Sequence, residues 1–280
     1  MGIWPVGKGS RLNRILTIRW SGQLTDGLFQ SALASFVLFS PERAPDAVSA
    51  ALAFAVVLLP YSLIGPYIGT FLDRFSRQRI IRNCNYLRAL NLLIVAWLVN
   101  SGATGVILTI FVLFAFGINR LILAGLSAGL PLLVKKEELI AANALAVTGG
   151  TITVVIGGGI GIAVKNLVSQ NYSADFADAT VILLASLGFT FAALACFRLE
   201  KMEIGPSAHE QPFESHGFKE ILEDLKILKS IPDTLRGIAA VAMQRSGITA
   251  LTLMALLLER NTFNDSADPD AGLAGFGIAL

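Results

Sequence analysis

The chain has 280 residues, 54% of them hydrophobic and 15% charged, with a mean hydropathy of +0.66, whereas soluble domains carry about 25% charged residues. The formal net charge of +2 gives no basis for a nucleic-acid partner. Apolar runs of roughly 20 residues exclude a soluble α/β enzyme, whose strands end after about 4 to 8.

Seven apolar windows fall at 16–39, 48–72, 84–100, 105–131, 139–164, 177–197 and 237–258. Each approaches the length that crosses about 30 Å of hydrocarbon. Lipid cannot satisfy open backbone groups, and the alternating pattern of a barrel is absent, so the spans are expected to be helices. The first window contains an Ala-x-Ala triplet at Ala32 to Ala34, but Arg19, Gln23 and Asp26 interrupt the apolar core of a signal peptide; an uncleaved span is expected.

Between the second and third windows, "GTFLDRFSRQRI" (Gly69 to Ile80) concentrates Asp73, Arg74, Arg77 and Arg79. Counting Lys and Arg in alternate connections puts 17 on the side of this turn, Arg14, Arg19 and Arg88 among them, against Arg43, Lys165 and Arg260 on the other. The bias predicts a cytoplasmic N-terminus in a multi-pass protein of a bacterial plasma membrane.

Three regions follow: a six-span bundle over 1–197, a cytoplasmic connection over 198–235, and the start of a second bundle over 236–280. Within the connection, "FKEILEDLKILKSI" sets Phe218, Ile221, Leu222, Leu225, Leu228 and Ile231 at helical spacing. A surface helix joining two bundles and a helix bound to the membrane or a partner both fit this pattern. The last ten residues, 271–280, open an eighth apolar run at about half the length of a span, which predicts a C-terminally truncated chain.

Charges inside spans are costly and mark pairing or function. Asp26, Arg120 and Arg245 are the three expected there. Asp26 lies 12 residues beyond Arg14 and Arg120 lies 15 before Lys135, about 18 and 22 Å deep at 1.5 Å per residue, so the two are expected to meet. A carboxylate held between arginines near water can exchange a proton as its pairing changes, which makes Asp26, Arg120 and Arg245 candidates for proton coupling. A permanent ion pair that fixes helix packing is the alternative. Gln23, Gln30 and Arg120 are candidate substrate-binding residues, and the amides serve equally as interhelical hydrogen-bonding groups.

In the fifth window Gly150, Gly157 and Gly161 are spaced for close helix packing. The run Gly157 to Gly159 follows no strand, so a nucleotide loop is not expected. Cys84 and Cys196 match no metal or redox spacing, and His209 and His216 stand in the polar connection. Neither an enzyme, a bound metal nor a cofactor is expected; the energy source would be a proton gradient.

This pattern of six spans, a long connection and further spans, with Gly69, Asp73, Arg74 and Arg77 in register in the turn, resembles the major facilitator superfamily. Its signature there reads Gly-x-x-x-Asp-Arg/Lys-x-Gly-Arg-Arg/Lys; here Ser76 replaces the glycine and Gln78 interrupts the basic pair before Arg79. The resemblance implies that Gly69, Asp73, Arg74, Arg77 and Arg79 form a conformational latch. In the fourth span Arg120 is followed by Gly125 one place late and without the family's glutamine. The fifth span is similar to the antiporter motif but lacks its proline. "LPLLVKKEELIAANAL", Leu130 to Leu145, resembles the branch of macrolide-efflux and enterobactin-exporter-like proteins. The implied fold is an all-α, major-facilitator-type N-terminal six-helix bundle plus the first one to two helices of the second. The implied function is a secondary transporter, monomeric when full length, exporting an amphipathic small molecule across the lipid bilayer by alternating access. Import, or a non-transporting scaffold or receptor, is the alternative.

Overall fold

The computed structural model describes residues 11–33, 68–69, 71–103, 105–206, 226–258 and 262. Six long helices occupy them: α1 (Arg11–Leu33), α2 (Arg77–Asn100), α3 (Val106–Gly129), α4 (Leu139–Ser169), α5 (Ala174–Ala195) and α6 (Pro232–Leu258). They correspond to the first, third, fourth, fifth, sixth and seventh apolar windows. Most of the second window, and all of 207–225 and 263–280, lie outside the described residues.

The chain divides into two compact units, one of 1–35 with 59–213 and one of 36–58 with 214–280. In the first, α1 packs along α4 and α5, and α2 packs against α5 and α3. The buried positions of α2, Ile81, Asn85, Arg88, Leu92, Val95 and Val99, alternate steps of four and three. On α3, Val112, Ala115, Asn119, Ile122 and Leu126 do the same. This is the spacing of helices that cross at shallow angles. Leu12, Ile15, Ile122, Leu126, Ala142 and Ala146 meet in one apolar cluster from three helices, α1, α3 and α4.

The α1–α4 contact depends on missing side chains. A Cβ on Gly27 would overlap the Val154 carbonyl, and one on Gly157 the Leu24 carbonyl. Gly150 accommodates the Gln23 amide and Gly161 the Ser31 hydroxyl. Gly159 faces open space.

Val106–Leu132, Lys136–Ser169 and Ala174–Arg198 are long and apolar enough to cross a membrane. Helices α1 and α2, of 23 and 24 residues, carry charges along their length, among them the buried Arg19, Asp26, Arg77 and Arg88. Ser173 caps α5 by accepting from the Phe176 N–H at 3.3 Å. In the second unit, α6 opens with Pro232 and Asp233, residues suited to a helix start, and Asp233 pairs with Arg236 at 3.0 Å.

One expected boundary moves. The connection drawn over 198–235 does not leave the bundle at 198: Leu199 and Ile204 are buried in the same cluster as Leu12 and Leu126. Of the expected amphipathic helix, residues 226–230 are helical and the preceding part falls outside the described residues.

Candidate functional site

Asp26 is buried on α1, and its partner is Arg88 of α2. Their side chains are 5% and 1% exposed. Arg88 also donates from Nη1 to Asn119 Oδ1 of α3 at 3.2 Å, and its guanidinium lies 3.9 Å from the centroid of the Phe189 ring on α5. Four helices therefore converge on one ion pair. The close counter-charge and the Asn119 acceptor offset the cost of burying Arg88, whose Nε has no hydrogen-bond partner among the described residues.

Two expectations fail here. Arg88 belongs in the helix interior, not among the flanking charges that set orientation, because α2 runs straight through from Arg77 and Arg88 falls in the phase of Ile81 and Leu92. Arg120 does not meet Asp26: it is exposed on α3, while the preceding Asn119 faces the pair. One residue along a helix is a rotation of about 100°, and depth alone does not choose between the two. Arg245 is exposed on α6, in the second unit.

Around the pair, α1 carries further polar groups. Gln23, partly buried, lies against Gly150 and accepts from Arg19 Nε at 3.3 Å. Arg19 Nη1 donates to Ser127 Oγ at 3.2 Å. Gln30 is exposed.

The charged turn is built differently from its sequence order. Arg77 is buried, with a side chain 4% exposed, and contacts Asp73 at 2.8 Å. Its Nη1 donates to the carbonyls of Ala128 at 3.3 Å and Ile204 at 3.4 Å, and its backbone N–H to Gly205 at 3.1 Å. Ser76 donates to the Lys201 carbonyl, and Gln78 to Cys196 at 2.9 Å. From α1, Arg14 donates to the Arg198 carbonyl at 2.9 Å, and Arg11 and Arg14 each contact Glu203 at 3.5 Å. Residues 198–206 thus form a strap over this end of the bundle. Gly205 permits it twice: its φ is +89°, and the space beside its Cα is filled by the Arg77 guanidinium. Gly69, Asp73, Arg74 and Arg79 are exposed; Arg79 lines a hollow with Phe71, Phe75 and Cys84.

A second buried carboxylate, Asp178 on α5, has a side chain 2% exposed and pairs with Lys165 of α4 at 2.8 Å. Sequence reasoning counted Lys165 only toward orientation and gave Asp178 no role. A phase argument would have found Asp178, which shares the buried face of Val181, Ile182 and Ala185. Among the described residues no group of three or more His, Cys, Asp or Glu is placed to hold a metal.

The description of the Major Facilitator Superfamily matches residues 20–280. Uncharacterized MFS-type transporters of Mycobacterium bovis and Mycobacterium tuberculosis are each 30% identical over 271 residues, covering 95% of this chain and 59% of theirs. No solved structure matches it. The chain therefore spans under two thirds of the length of these curated relatives, and the matched family, the membrane-length helices and the charged turn agree: it belongs to the major facilitator superfamily, as an all-α, multi-pass membrane protein.

Proposed function

We propose that the protein is a secondary active transporter that exports an amphipathic small molecule by alternating access, driven by a proton gradient. The observation that carries this reading is the concentration of polar and charged side chains on α1, α2 and α3 of a membrane protein, where each is costly unless it serves packing or passage. Gln23, Gln30 and Arg120 are the proposed substrate-facing residues. Asp26 is the proposed exchanging carboxylate, with Arg88 in the partner's role first considered for Arg120; Arg245 on α6 is a separate candidate. The basic turn is proposed to face the cytoplasm and to work as a latch through Asp73 and Arg77, because a carboxylate and a guanidinium that pair in one state can bias a two-state equilibrium.

Export rests on the likeness of Leu130–Leu145 to efflux proteins, so direction is tested with substrate. Everted vesicles carrying the protein should accumulate a cationic or anionic drug when a proton gradient is imposed, and Asp26→Asn should abolish the accumulation while leaving the protein in the membrane. Intact transport by Asp26→Asn would remove the coupling role, and uptake by intact cells in place of everted vesicles would turn the reading to import. Asp73→Asn with normal transport would remove the latch.

A further inference from the structure

Arg19 stands apart from the other buried arginines. Arg77 contacts Asp73 and Arg88 contacts Asp26, whereas both partners of Arg19 are neutral, Gln23 Oε1 and Ser127 Oγ. Arg19 is only 9% exposed. It also lies in the buried phase of α1, in step with Leu12, Ile15, Asp26, Phe29 and Leu33. A guanidinium has five N–H donors, and among the described residues Gln23 and Ser127 accept from two of them.

A cation in this position has no structural economy. A hydrocarbon side chain of similar volume fills a helix interface without the desolvation cost of a charge, and a charge inside a membrane span is retained where a pathway or ligand uses it. Planar forked donors match the two oxygens of a carboxylate or phosphate, which an ammonium does not reproduce. Ser127 is exposed, so the Arg19–Ser127 contact lies at the edge of the packed interior.

We infer that Arg19, with Gln23 and Ser127, forms a binding subsite for the anionic group, carboxylate or phosphate, of the transported molecule. This deepens and rests on the transport reading: the substrate is an amphipathic anion, recognised by Arg19 on α1.

The test uses the 280-residue chain in nanodiscs of zwitterionic lipid, titrated calorimetrically with benzoate and with benzamide, its neutral counterpart of similar shape. Benzoate should bind saturably and at least tenfold more tightly than benzamide. Arg19→Gln should raise the benzoate Kd at least tenfold, and Arg19→Lys by less, since it keeps the charge and loses the fork. If Arg19→Gln does not fold, Ser127→Ala, which removes an exposed hydroxyl, should weaken benzoate and leave benzamide unchanged. Equal binding of benzoate and benzamide, no saturable benzoate binding, or an unchanged Kd in the folded variants overturns the subsite. Displacement of benzoate by phosphatidylglycerol added to the nanodisc assigns the site to a lipid headgroup and overturns its place in transport. Arg19-dependent binding without benzoate flux in proteoliposomes keeps the subsite and rejects the transport reading; flux indifferent to Arg19→Gln does the reverse.

Discussion

Asp26→Asn leaves the Arg88 guanidinium buried without its counter-charge, and the first unit should lose about 3 kcal/mol of stability. The magnitude follows from burial. The paired side chains are 5% and 1% exposed, so water does not rehydrate Arg88, and removing one partner of such a pair costs about 3–5 kcal/mol. Arg88 retains the Asn119 acceptor at 3.2 Å and the Phe189 ring at 3.9 Å. A desolvated cation–π contact is worth about 2 kcal/mol, which favours the lower end of the range. Adding Arg88→Met removes the stranded charge, so the double variant should recover most of the loss, with an interaction energy of about 2 kcal/mol in the cycle. Denaturant titration in mixed micelles measures this, with Trp20 as reporter because its indole donates to the Ala146 carbonyl across the α1–α4 contact. A loss below about 1 kcal/mol for Asp26→Asn together with additive single effects would refute the reasoning, because a buried, coupled pair produces neither.

Gly157→Ala places a methyl group against the Leu24 carbonyl and should destabilise by about 1–3 kcal/mol in the same titration, whereas Gly159→Ala, in open space, should be neutral or stabilising by up to about 1 kcal/mol. Lys165→Met strands the buried Asp178 carboxylate and should cost about 3 kcal/mol; Lys165→Met with Asp178→Asn should be closer to wild type than Lys165→Met alone. Arg77→Gln removes the guanidinium that joins Asp73, Ala128 and Ile204, at about 1.5–3 kcal/mol for a charged hydrogen-bonding group. Its signature should be local: limited proteolysis should cut within residues 198–206 faster than in the wild type, and unchanged cleavage would dissociate Arg77 from the strap.

The strap shows how a local reading misplaces a segment. Residues 198–206 are polar enough to read as the start of a free connection, yet Leu199 and Ile204 are two apolar side chains that find a pocket among α1, α3 and α4. Nothing in their immediate neighbours announces it. Glu203 likewise reads as a surface charge until Arg11 and Arg14, distant in sequence, are brought alongside at 3.5 Å. The Asp26 partner was partly legible. Arg88 occupies the heptad-like phase of Ile81, Leu92 and Val95, and attention to phase instead of distance from the flank would have placed it inside.

Membrane location, all-helical character and the charged turn were determined by the sequence itself, since apolar run length and the hydrogen-bonding demand of lipid act along one dimension. Which charges meet was decided by tertiary structure alone. A residue's partner depends on how each helix is rotated about its axis and on how closely its neighbours approach. At about 100° per residue, the difference between Asn119 facing the ion pair and Arg120 facing away is a single step along α3.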